Sequence, residues 1–444
     1  MQLSGKNISV IGMGKSGLAA AEFLAKRGAK TLLADARSKS ELEEAASGLN
    51  PGIKLKFGDC SPASNADLIV LSPGVPADAP FLKQAREQGT EIIGELELAA
   101  RFNKTPVIAI TGSNGKSTVT TLVGEILRAE GFNVQVGGNL GTPFIELIEK
   151  KPCDFIVLEV SSFQLETAGN FRPHIAAVLN ITPDHLDRHK TFQNYCSIKG
   201  SIADCQEESD YFIGNLDDPE TVKLTCGKKS KKLFFGAGLE GAEGAFLRNG
   251  EILLKYEGNE SAICNQRDIP FPLKLQVENA LAAVAITAPL KISTDSLKQA
   301  ICSFKGLEHR MEWVRALRGI DFINDSKATN IGAACKSLLT IEQPVVLMLG
   351  GRDKKNDFSE MLPLLKKKVK HLVLFGEARE KIKRALNGSP AYEEADSFED
   401  AVKIAVNRAV EGDAVLLSPA CASQDMFRNF EERGMEFKAL VNKL

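Results

Sequence analysis

The sequence lacks an excess of basic residues. Its 55 lysines and arginines are balanced by 57 aspartates and glutamates, and the formal net charge is −2. A nucleic-acid-binding protein usually carries a basic excess, so this balance argues against such a partner. The lysine-rich runs at 228–232 and 366–370 are local, and they predict solvated surface.

A long apolar run and a C-x-x-C motif are also missing. No apolar run is long enough to span a bilayer, and M-Q-L-S-G-K-N at the start lacks the apolar core of a signal peptide. The nine cysteines, odd in number and without C-x-x-C spacing, favour reduced thiols. We therefore expect a cytoplasmic protein without a membrane partner.

A phosphate-binding loop dominates what is present. Val107–Ile110 is an apolar, β-branched run typical of a buried parallel strand, and T-G-S-N-G-K-S-T follows it. A helix is predicted to open at Lys116 and to end near Gly131. Loop amides and a helix N-terminus receive oxyanions, while a lysine and a hydroxyl serve outer phosphates and Mg²⁺. The usual first glycine of G-x-x-x-x-G-K-[ST] is replaced by Ile110, yet the junction predicts an ATP site.

The first segment carries a second glycine loop. Strand 7–11 leads into G-M-G-K-S-G and a helix, and the next strand ends at Asp35-Ala36-Arg37. This spacing is that of the dinucleotide fingerprint, so an NAD site is one interpretation. Because the ATP loop already supplies an energy source, we favour the diphosphate of another nucleotide, with Asp35 and Arg37 beside its base or sugar. The turn after strand 68–71 is predicted to face the same nucleotide-binding cleft.

Polar side chains also follow the later strands of the central segment. Glu159 is the one charge in F-I-V-L-E-V, and it predicts either a Mg²⁺ ligand or a salt-bridged structural carboxylate. Asp184 and His185 follow strand 175–179, at a strand end where ligands bind in parallel sheets. His185 and His189 have a spacing that zinc could use, but no third ligand pattern accompanies them.

The last segment repeats the pattern of an apolar strand followed by a polar loop at 320–330, 345–354, 371–377 and 414–420. A chain of 444 residues is too long for one core. We predict an α/β protein of three Rossmann-like domains, 1–93, 94–305 and 306–444, the central one a P-loop-type ATP-binding domain.

Taken together, the motifs resemble those of the Mur ligase family over essentially the whole chain. The stretches that carry this resemblance are T-G-S-N-G-K-S-T, L-E-V-S-S-F-Q-L-E, N-I-T-P-D-H-L-D-R-H, E-H-R at 308–310, N-D-S-K-A-T-N and L-S-P-A-C-A-S-Q-D-M-F-R-N-F-E-E-R-G. The last stretch points to the D-glutamate-adding members. The resemblance implies an ATP- and Mg²⁺-dependent, monomeric enzyme that joins D-glutamate to UDP-N-acetylmuramoyl-L-alanine.

The resemblance also implies roles for individual residues. The UDP substrate would be held by Gly14, Lys15, Ser16, Gly17, Asp35, Arg37, Ser72 and Asn139. ATP would be held by Gly112, Ser113, Asn114, Gly115, Lys116, Ser117, Thr118, Asn279, His309, Arg310 and Asp325. Two Mg²⁺ sites would use Ser117, Thr118, Glu159, His185 and a carbamylated Lys199. D-glutamate would be bound by Thr329, Lys354, Ser423 and Phe430, and Lys116, His185, Lys199 and Lys327 would serve the chemistry.

One stretch departs from the family pattern. The family's G-H-N-x-x-N reads K-L-Q-V-E-N at 274–279, so only Asn279 matches, and Gln276 retains an amide with a longer reach. Without the resemblance, Lys199 would be interpreted as a surface lysine. The alternatives that remain are another Mur-type or folylpolyglutamate-type ligase, an NAD-linked oxidoreductase, a P-loop kinase and a nucleotide sensor.

Overall fold

The computed structural model describes residues 2–444 except 239–241, 271–276, 354–356, 387 and 389. Its described residues cluster into two compact units, one of 1–268 with 278–302 and one of 269–277 with 303–444. The first unit contains two β-sheets and the second contains one. No helix among the residues described is long and apolar enough to cross a membrane.

The first sheet is entirely parallel and has five strands in the order β3-β2-β1-β4-β5. Its strands end where the glycine and polar residues begin, so the predicted nucleotide loops lie at one edge. The strands are β1 (Asn7–Ile11), β2 (Lys30–Asp35), β3 (Lys54–Phe57), β4 (Leu68–Leu71) and β5 (Glu91–Gly94). The helices are α1 (Lys15–Lys26), α2 (Lys39–Ala46), α3 (Lys83–Glu87) and α4 (Glu95–Phe102).

The second sheet has nine strands, and the strand before the ATP loop is central in its parallel part. The strands are β6 (Val107–Thr111), β7 (Val134–Gly138), β8 (Phe155–Glu159), β9 (Ile175–Val178), β10 (Tyr211–Asn215), β11 (Lys231–Gly236), β12 (Gly244–Arg248), β13 (Glu251–Tyr256) and β14 (Asn259–Asn265). Their order is β14-β13-β12-β11-β10-β9-β6-β8-β7, and only β12, β13 and β14 pair antiparallel. The stretch from β10 to β14 thus extends the central sheet.

Helices cover this sheet and connect it to the first one. They are α5 (Lys116–Ala129), α6 (Phe144–Leu147), α7 (Ser162–Leu165), α8 (Leu186–His189), α9 (Phe192–Gly200), α10 (Pro219–Thr225), α11 (Val277–Thr287) and α12 (Thr294–Ser303). One apolar cluster runs from Leu3 in the first sheet region to Phe212 on β10, with Phe144 of α6 among its members. Because the two sheets share this core, the core holds the ends of their strands in fixed relative positions.

The third sheet has six strands in the order β15-β16-β20-β17-β18-β19, parallel except for the β15–β16 pair. The strands are β15 (Glu312–Leu317), β16 (Ile320–Asn324), β17 (Val345–Gly350), β18 (Val369–Phe375), β19 (Tyr392–Glu394) and β20 (Ala414–Leu417). The helices are α13 (Ile331–Thr340), α14 (Leu362–Lys368), α15 (Arg379–Leu386), α16 (Phe398–Arg408) and α17 (Phe430–Asn442). The predicted α/β fold with three sheets is confirmed.

The stability of the third sheet can be tested with a built-in probe. Phe322 on β16 is fully buried, and Trp313, the chain's single tryptophan, lies on the neighbouring strand β15. Phe322→Ala should lower the free energy of unfolding by about 3–5 kcal/mol because it leaves a cavity. Urea unfolding followed by tryptophan fluorescence measures this loss, and the control Leu339→Ala, at a side chain with 62% exposure, should change little.

Candidate active site

The loop between β6 and α5 is shaped by a glycine at the start of the helix. Gly115 has a φ of +80°, and a Cβ there would lie 2.4 Å from Oδ1 of Asn279. Glycine is therefore required on both conformational and steric grounds. The backbone N–H of Asn114 donates to Oδ1 of Asn180 at 2.8 Å, which fixes the loop to the end of β9. The loop thus lies against Asn279, a residue predicted for the ATP site.

Two lysines converge on the carbonyl oxygen of Gly112. Nζ of Lys116 donates to it at 2.9 Å and to the carbonyl of Ser113 at 3.0 Å. Nζ of Lys199, which lies on α9, donates to the same Gly112 oxygen at 2.8 Å. Two cations at one carbonyl, beside the positive end of α5, form a strongly anion-attracting site.

Lys199 is buried, with only 1% of its surface exposed, so the interpretation of a surface lysine is wrong. Burial, followed by repulsion from Lys116, lowers the pKa of Lys199 to about 7, although Asp184 and Glu159 oppose this shift. A substantial fraction of neutral amine therefore exists near neutral pH. A neutral amine is a nucleophile, as carbamate formation with CO₂ requires.

Glu159, at the end of β8, is 3% exposed and aimed at the same region. Its Oε1 accepts a hydrogen bond from Nδ2 of Asn139 at 2.6 Å. Its Oε2 is buried and finds no hydrogen-bond donor within the part of the chain that the structure describes. An orphaned buried carboxylate oxygen is costly unless a cation or donor arrives. This fits a metal ligand better than a salt-bridged structural glutamate.

His185 follows a segment that contacts the ATP loop, where the N–H of Thr182 donates to Oγ of Ser113 at 2.9 Å. Its φ of +51° places it in the left-handed region, where it precedes the first residue of α8. The imidazole ring packs on Phe163, with ring centroids 4.8 Å apart, and its Nε2 lies 3.7 Å from Oδ2 of Asp184. About half of its side chain remains exposed, so the ring is accessible to a ligand.

A metal ion at this site would need oxygen atoms from its substrates. Among the residues in the described ranges, no group of three His, Cys, Asp or Glu side chains could hold a metal ion. Mg²⁺ typically takes one or two carboxylates together with phosphate oxygens and water, so Glu159 and the α5 hydroxyls of Ser117 and Thr118 suit it. His189 bonds through Nε2 to Oγ of Ser162 at 3.0 Å, which disfavours the zinc alternative.

A cleft of about 280 Å³ joins the first glycine loop to the central sheet. It contains four of the residues predicted to hold the UDP substrate. Its lining comprises Lys15, Ser16, Ser72, Pro73, Gly74, Gly138, Asn139, Gly141, Pro143 and Gln164. Gly17 makes the loop possible, because a Cβ there would lie 1.8 Å from the carbonyl oxygen of Gly12. The structure therefore brings Lys15, Ser16, Ser72 and Asn139 together around one space.

Asp35 and Arg37 form an ion pair beside this loop. Oδ2 of Asp35 accepts from the backbone N–H of Met13 at 2.7 Å and from Nη2 of Arg37 at 2.9 Å. Hydrogen bonds from Arg37 hold the pKa of Asp35 at about 2, against the cost of burial. The carboxylate thus orders the first loop and orients Arg37, whose side chain is half exposed.

The second unit holds the remaining described candidates, several of which follow β16 and β20. Asp325 is buried and accepts hydrogen bonds from Oγ of Ser418 at 2.9 Å and from Oγ of Ser337. Burial raises its pKa to about 6. In this structure its carboxylate is thus engaged inside the unit, and its predicted contact with ATP stays a prediction, as does that of Arg310.

The segment after Asp325 is tied to α17. Arg433, fully buried, donates to the carbonyls of Ser326 at 2.8 Å and Cys421 at 3.2 Å. This bond network brings together the stretches that carry Lys327 and Thr329, Ser423, and Phe430. Nζ of Lys327 lies 6.0 Å from the centre of the Phe430 ring. His309 lies edge-on to the same ring, with centroids 6.4 Å apart.

Two predicted features lie outside the described residues. They are Lys354, expected to bind D-glutamate, and Gln276, expected to replace a family amide.

Comparisons with known proteins cover nearly the entire chain. Residues 6–94 match the model for the N-terminal domain of MurD-like Mur ligases, residues 110–287 the Mur ligase middle domain and residues 309–421 the Mur ligase glutamate ligase domain. The chain belongs to the Mur ligase family.

Its relatives within the Mur ligases match at full length. A UDP-N-acetylmuramoylalanine--D-glutamate ligase of Koribacter versatilis is 44% identical, covering 100% of this chain and 99% of the relative. One of Thermoanaerobacter sp. is 43% identical, covering 100% of both. The solved MurF ligase from Thermotoga maritima in complex with ADP is 16% identical and shares the fold, with a TM-score of 0.59 over 99% of this chain and 96% of that one. This Mur ligase is therefore a ligase, and the oxidoreductase, kinase and sensor alternatives fall away.

Tyr195 was missed by sequence reasoning on this Mur ligase. Its ring lies 4.8 Å from Nζ of Lys199, and its hydroxyl is 3.1 Å from Oγ of Ser113 in the ATP loop. It precedes Lys199 by four residues on α9, so the two side chains share one helical face. The four-residue spacing from Lys199 was the sequence signal from which Tyr195 could have been predicted.

The cost of burying Lys199 is measurable. In CO₂-free buffer, Lys199→Met should raise the free energy of unfolding below pH 7 by up to about 4 kcal/mol, because each unit of depressed pKa costs about 1.4 kcal/mol. The folded-state pKa lies below the unfolded value of about 10.4, so the gain should shrink as pH rises from 7 to about 10.4. Urea unfolding across this pH range checks the slope, and a pH-independent gain would contradict the assignment. Lys190→Met, at an exposed lysine of the same unit, is the control.

Proposed function

We propose that this Mur ligase joins D-glutamate to UDP-N-acetylmuramoyl-L-alanine with ATP, through an acyl phosphate, in peptidoglycan precursor synthesis. One observation carries the proposal. The two lysines that converge on the Gly112 carbonyl and the orphaned oxygen of Glu159 lie beside the cleft lined by Lys15, Ser72 and Asn139. The full-length relatives that bear this activity in their names support the choice of substrates.

ATP and Mg²⁺ are assigned to the phosphate loop and its surroundings. The N-terminus of α5 and Lys116 would receive the phosphates, and Ser117, Thr118, Glu159 and His185 would hold metal. Bound Mg²⁺ supplies charge neutralisation on the transferring phosphoryl group. Asn279 supports this assignment, since its amide oxygen lies against Gly115. Under this proposal the first, central and last domains, 1–93, 94–305 and 306–444, serve the UDP substrate, ATP and the amino acid.

The reaction needs activation because oxide is a poor leaving group from a carboxylate. The alanyl carboxylate oxygen attacks the γ-phosphorus of ATP, an O–P bond forms, and the bond to the ADP oxygen breaks. Lys116 compensates the charge that spreads over the transferred oxygens, assisted by Lys327. The amine of D-glutamate then attacks the acyl carbon, loses a proton, and inorganic phosphate leaves. Water must be excluded, since it would hydrolyse the acyl phosphate.

The amino acid is assigned to the second unit. D-glutamate has a side-chain carboxylate that needs fixed cationic and hydroxyl donors, and Thr329, Lys354 and Ser423 would supply them. Phe430 would cover the apolar stem. The Arg433 network supports this arrangement, because it ties the stretch before Thr329 to the stretch before Ser423. A donor set of this kind rejects neutral amino acids, which would leave the donors unpaired.

The proposal also covers the number of metal sites, the oligomeric state and the cellular location. We assign two Mg²⁺ sites, the second supported by a carbamate on Lys199, and an enzyme that acts as a monomer in the cytoplasm. The lowered pKa of Lys199 supports the carbamate, because the neutral amine can attack CO₂, forming an N–C bond and releasing a proton.

The direct test is phosphate release from ATP in the presence of UDP-N-acetylmuramoyl-L-alanine. Release should require both that substrate and D-glutamate, and D-alanine or meso-diaminopimelate should substitute poorly. Efficient ligation of a neutral or dibasic amino acid would overturn the substrate assignment while leaving the family intact.

Removing the loop lysine should abolish ligation. Lys116→Ala is expected to lose about 10³-fold or more in kcat/KM, the scale of a positioned charge on a transferring phosphoryl group. Lys150→Ala, at an exposed lysine of the same unit, should keep the activity of the parent. A folded Lys116→Ala enzyme within a few-fold of the parent would contradict the ATP assignment.

The carbamate can be observed directly. Protein in ¹³C-bicarbonate should show a carbamate signal by NMR that disappears in Lys199→Ala, and that variant should be nearly inactive and partly rescued by acetate. The physical reason is that a carboxylate supplies the oxygen ligands that Mg²⁺ requires, whereas an ammonium repels it. Lys190→Ala should keep both the signal and the activity. Full activity of Lys199→Ala would refute the role.

A further inference from the structure

Arg188 on α8 spans from the central sheet's loops to a turn of the first sheet region. Its Nε donates to the two carboxylate oxygens of Glu166 at 3.1 and 3.2 Å, and its Nη2 donates to Oε2 at 2.5 Å. The guanidinium also donates to backbone carbonyls, from Nη2 to Val75 at 3.1 Å and from Nη1 to Gly74 at 3.5 Å. All these residues lie in the first unit. The side chains of Arg188 and Glu166 are only 18% and 13% exposed.

The carbonyls that Arg188 contacts belong to the turn of residues 72–75, which follows β4. The turn is closed by the N–H of Val75 donating to the carbonyl of Ser72 at 2.9 Å. Ser72 and Gly74 line the cleft together with Asn139, and a Cβ on Gly14 would lie 3.3 Å from Oγ of Ser72. A shift of this turn would therefore move the wall of the UDP-substrate cleft.

The other end of the contact lies next to the proposed metal and phosphate chemistry. Asp184 and His185 directly precede α8, and Phe163, which packs on His185, lies 5.3 Å from the Arg188 guanidinium. Oε1 of Glu166 also lies 3.2 Å from Nδ1 of His189, an atom that makes no hydrogen bond within the described residues. Among the described residues, Arg188 is thus the group that hydrogen-bonds the Glu166 carboxylate.

We propose that Arg188, oriented by Glu166, is a positioning residue that sets the distance between the UDP-binding turn 72–75 and the segment that carries His185. This inference rests on the proposed function. The nucleotide end of the substrate is bound beside the turn 72–75, and its far carboxylate reacts beside the segment that carries His185. The distance between the turn and this segment therefore sets how closely the carboxylate approaches the phosphorus. A guanidinium presents five N–H donors in a planar fork that reaches a carboxylate and two carbonyls, whereas a lysine ammonium presents three donors at a single point.

The test compares three KM values in the full enzyme. Arg188→Lys should raise the KM for UDP-N-acetylmuramoyl-L-alanine about tenfold and lower kcat about tenfold, since misplacement of a reacting group by about 1 Å costs up to about 10²-fold. The KM values for ATP and D-glutamate should stay within about twofold, because their binding does not depend on the turn. Glu166→Gln should give the same pattern more weakly, and the double variant should be less than additive.

Arg27→Lys is the matched control. Arg27 also connects the two sheet regions of the first unit, bonding Glu149 at 2.7 Å and the carbonyl of Phe23 at 3.3 Å, with its guanidinium 3.5 Å from the Phe23 ring. Arg27 is not one of the residues that line the cleft. This variant should leave all three KM values unchanged, and urea unfolding of both variants shows whether each is folded.

The outcomes separate this inference from the proposed function. If the parent enzyme does not ligate these substrates, the proposed function fails. If the parent ligates and folded Arg188→Lys keeps its KM for the UDP substrate, the positioning role alone is wrong. A uniform change of all three KM values, or an equal loss in Arg27→Lys, would likewise overturn it in favour of general stabilisation.

Discussion

The arrangement of the active site depends on one electrostatic constraint, the convergence of Lys116 and Lys199 on the carbonyl of Gly112. The carbonyl dipole does not balance two ammonium groups at this point, and the positive end of α5 adds to their repulsion. The region therefore favours anions, and the buried lysine responds by giving up its proton more readily. Phosphate binding and deprotonation of Lys199 both reduce the same excess of positive charge.

The same constraint explains why the carboxylates nearby are placed as they are. Glu159 and Asp184 face Lys199 closely enough to raise its pKa, yet burial and Lys116 outweigh them. Within the described residues, Oε2 of Glu159 has no hydrogen-bond donor. Such an arrangement is unfavourable for the protein alone and becomes favourable when cation and phosphate bind together. Stability is thus lost where function requires charge complementarity to ligands.

Much of the fold was accessible from sequence because its signals are local. The short apolar runs at 107–110 and 414–417 are typical of buried strands, and glycines such as Gly115 and Gly17 are required because a Cβ there would clash with neighbouring atoms. The burial of Lys199 and the inward orientation of Asp325 were not accessible, because they depend on which neighbours the topology supplies. The Arg188 contacts with Gly74 and Val75 join residues more than a hundred positions apart, and no local pattern encodes them.

The two sheets of the first unit illustrate why such distant contacts matter. Their common core fixes the sheets, but the loops at their edges are polar and would retain freedom if only the core held them. Side-chain bonds across the loop edges remove that freedom. The hydrogen bond from Asn139 to Glu159 links a cleft residue to a proposed metal ligand. The hydrogen bonds from Arg188 to Glu166 and Val75 link the turn 72–75 to the segment that carries His185. Because both links join the wall of the substrate cleft to the phosphate chemistry, correct seating of the UDP substrate and assembly of the reactive centre become a single structural event.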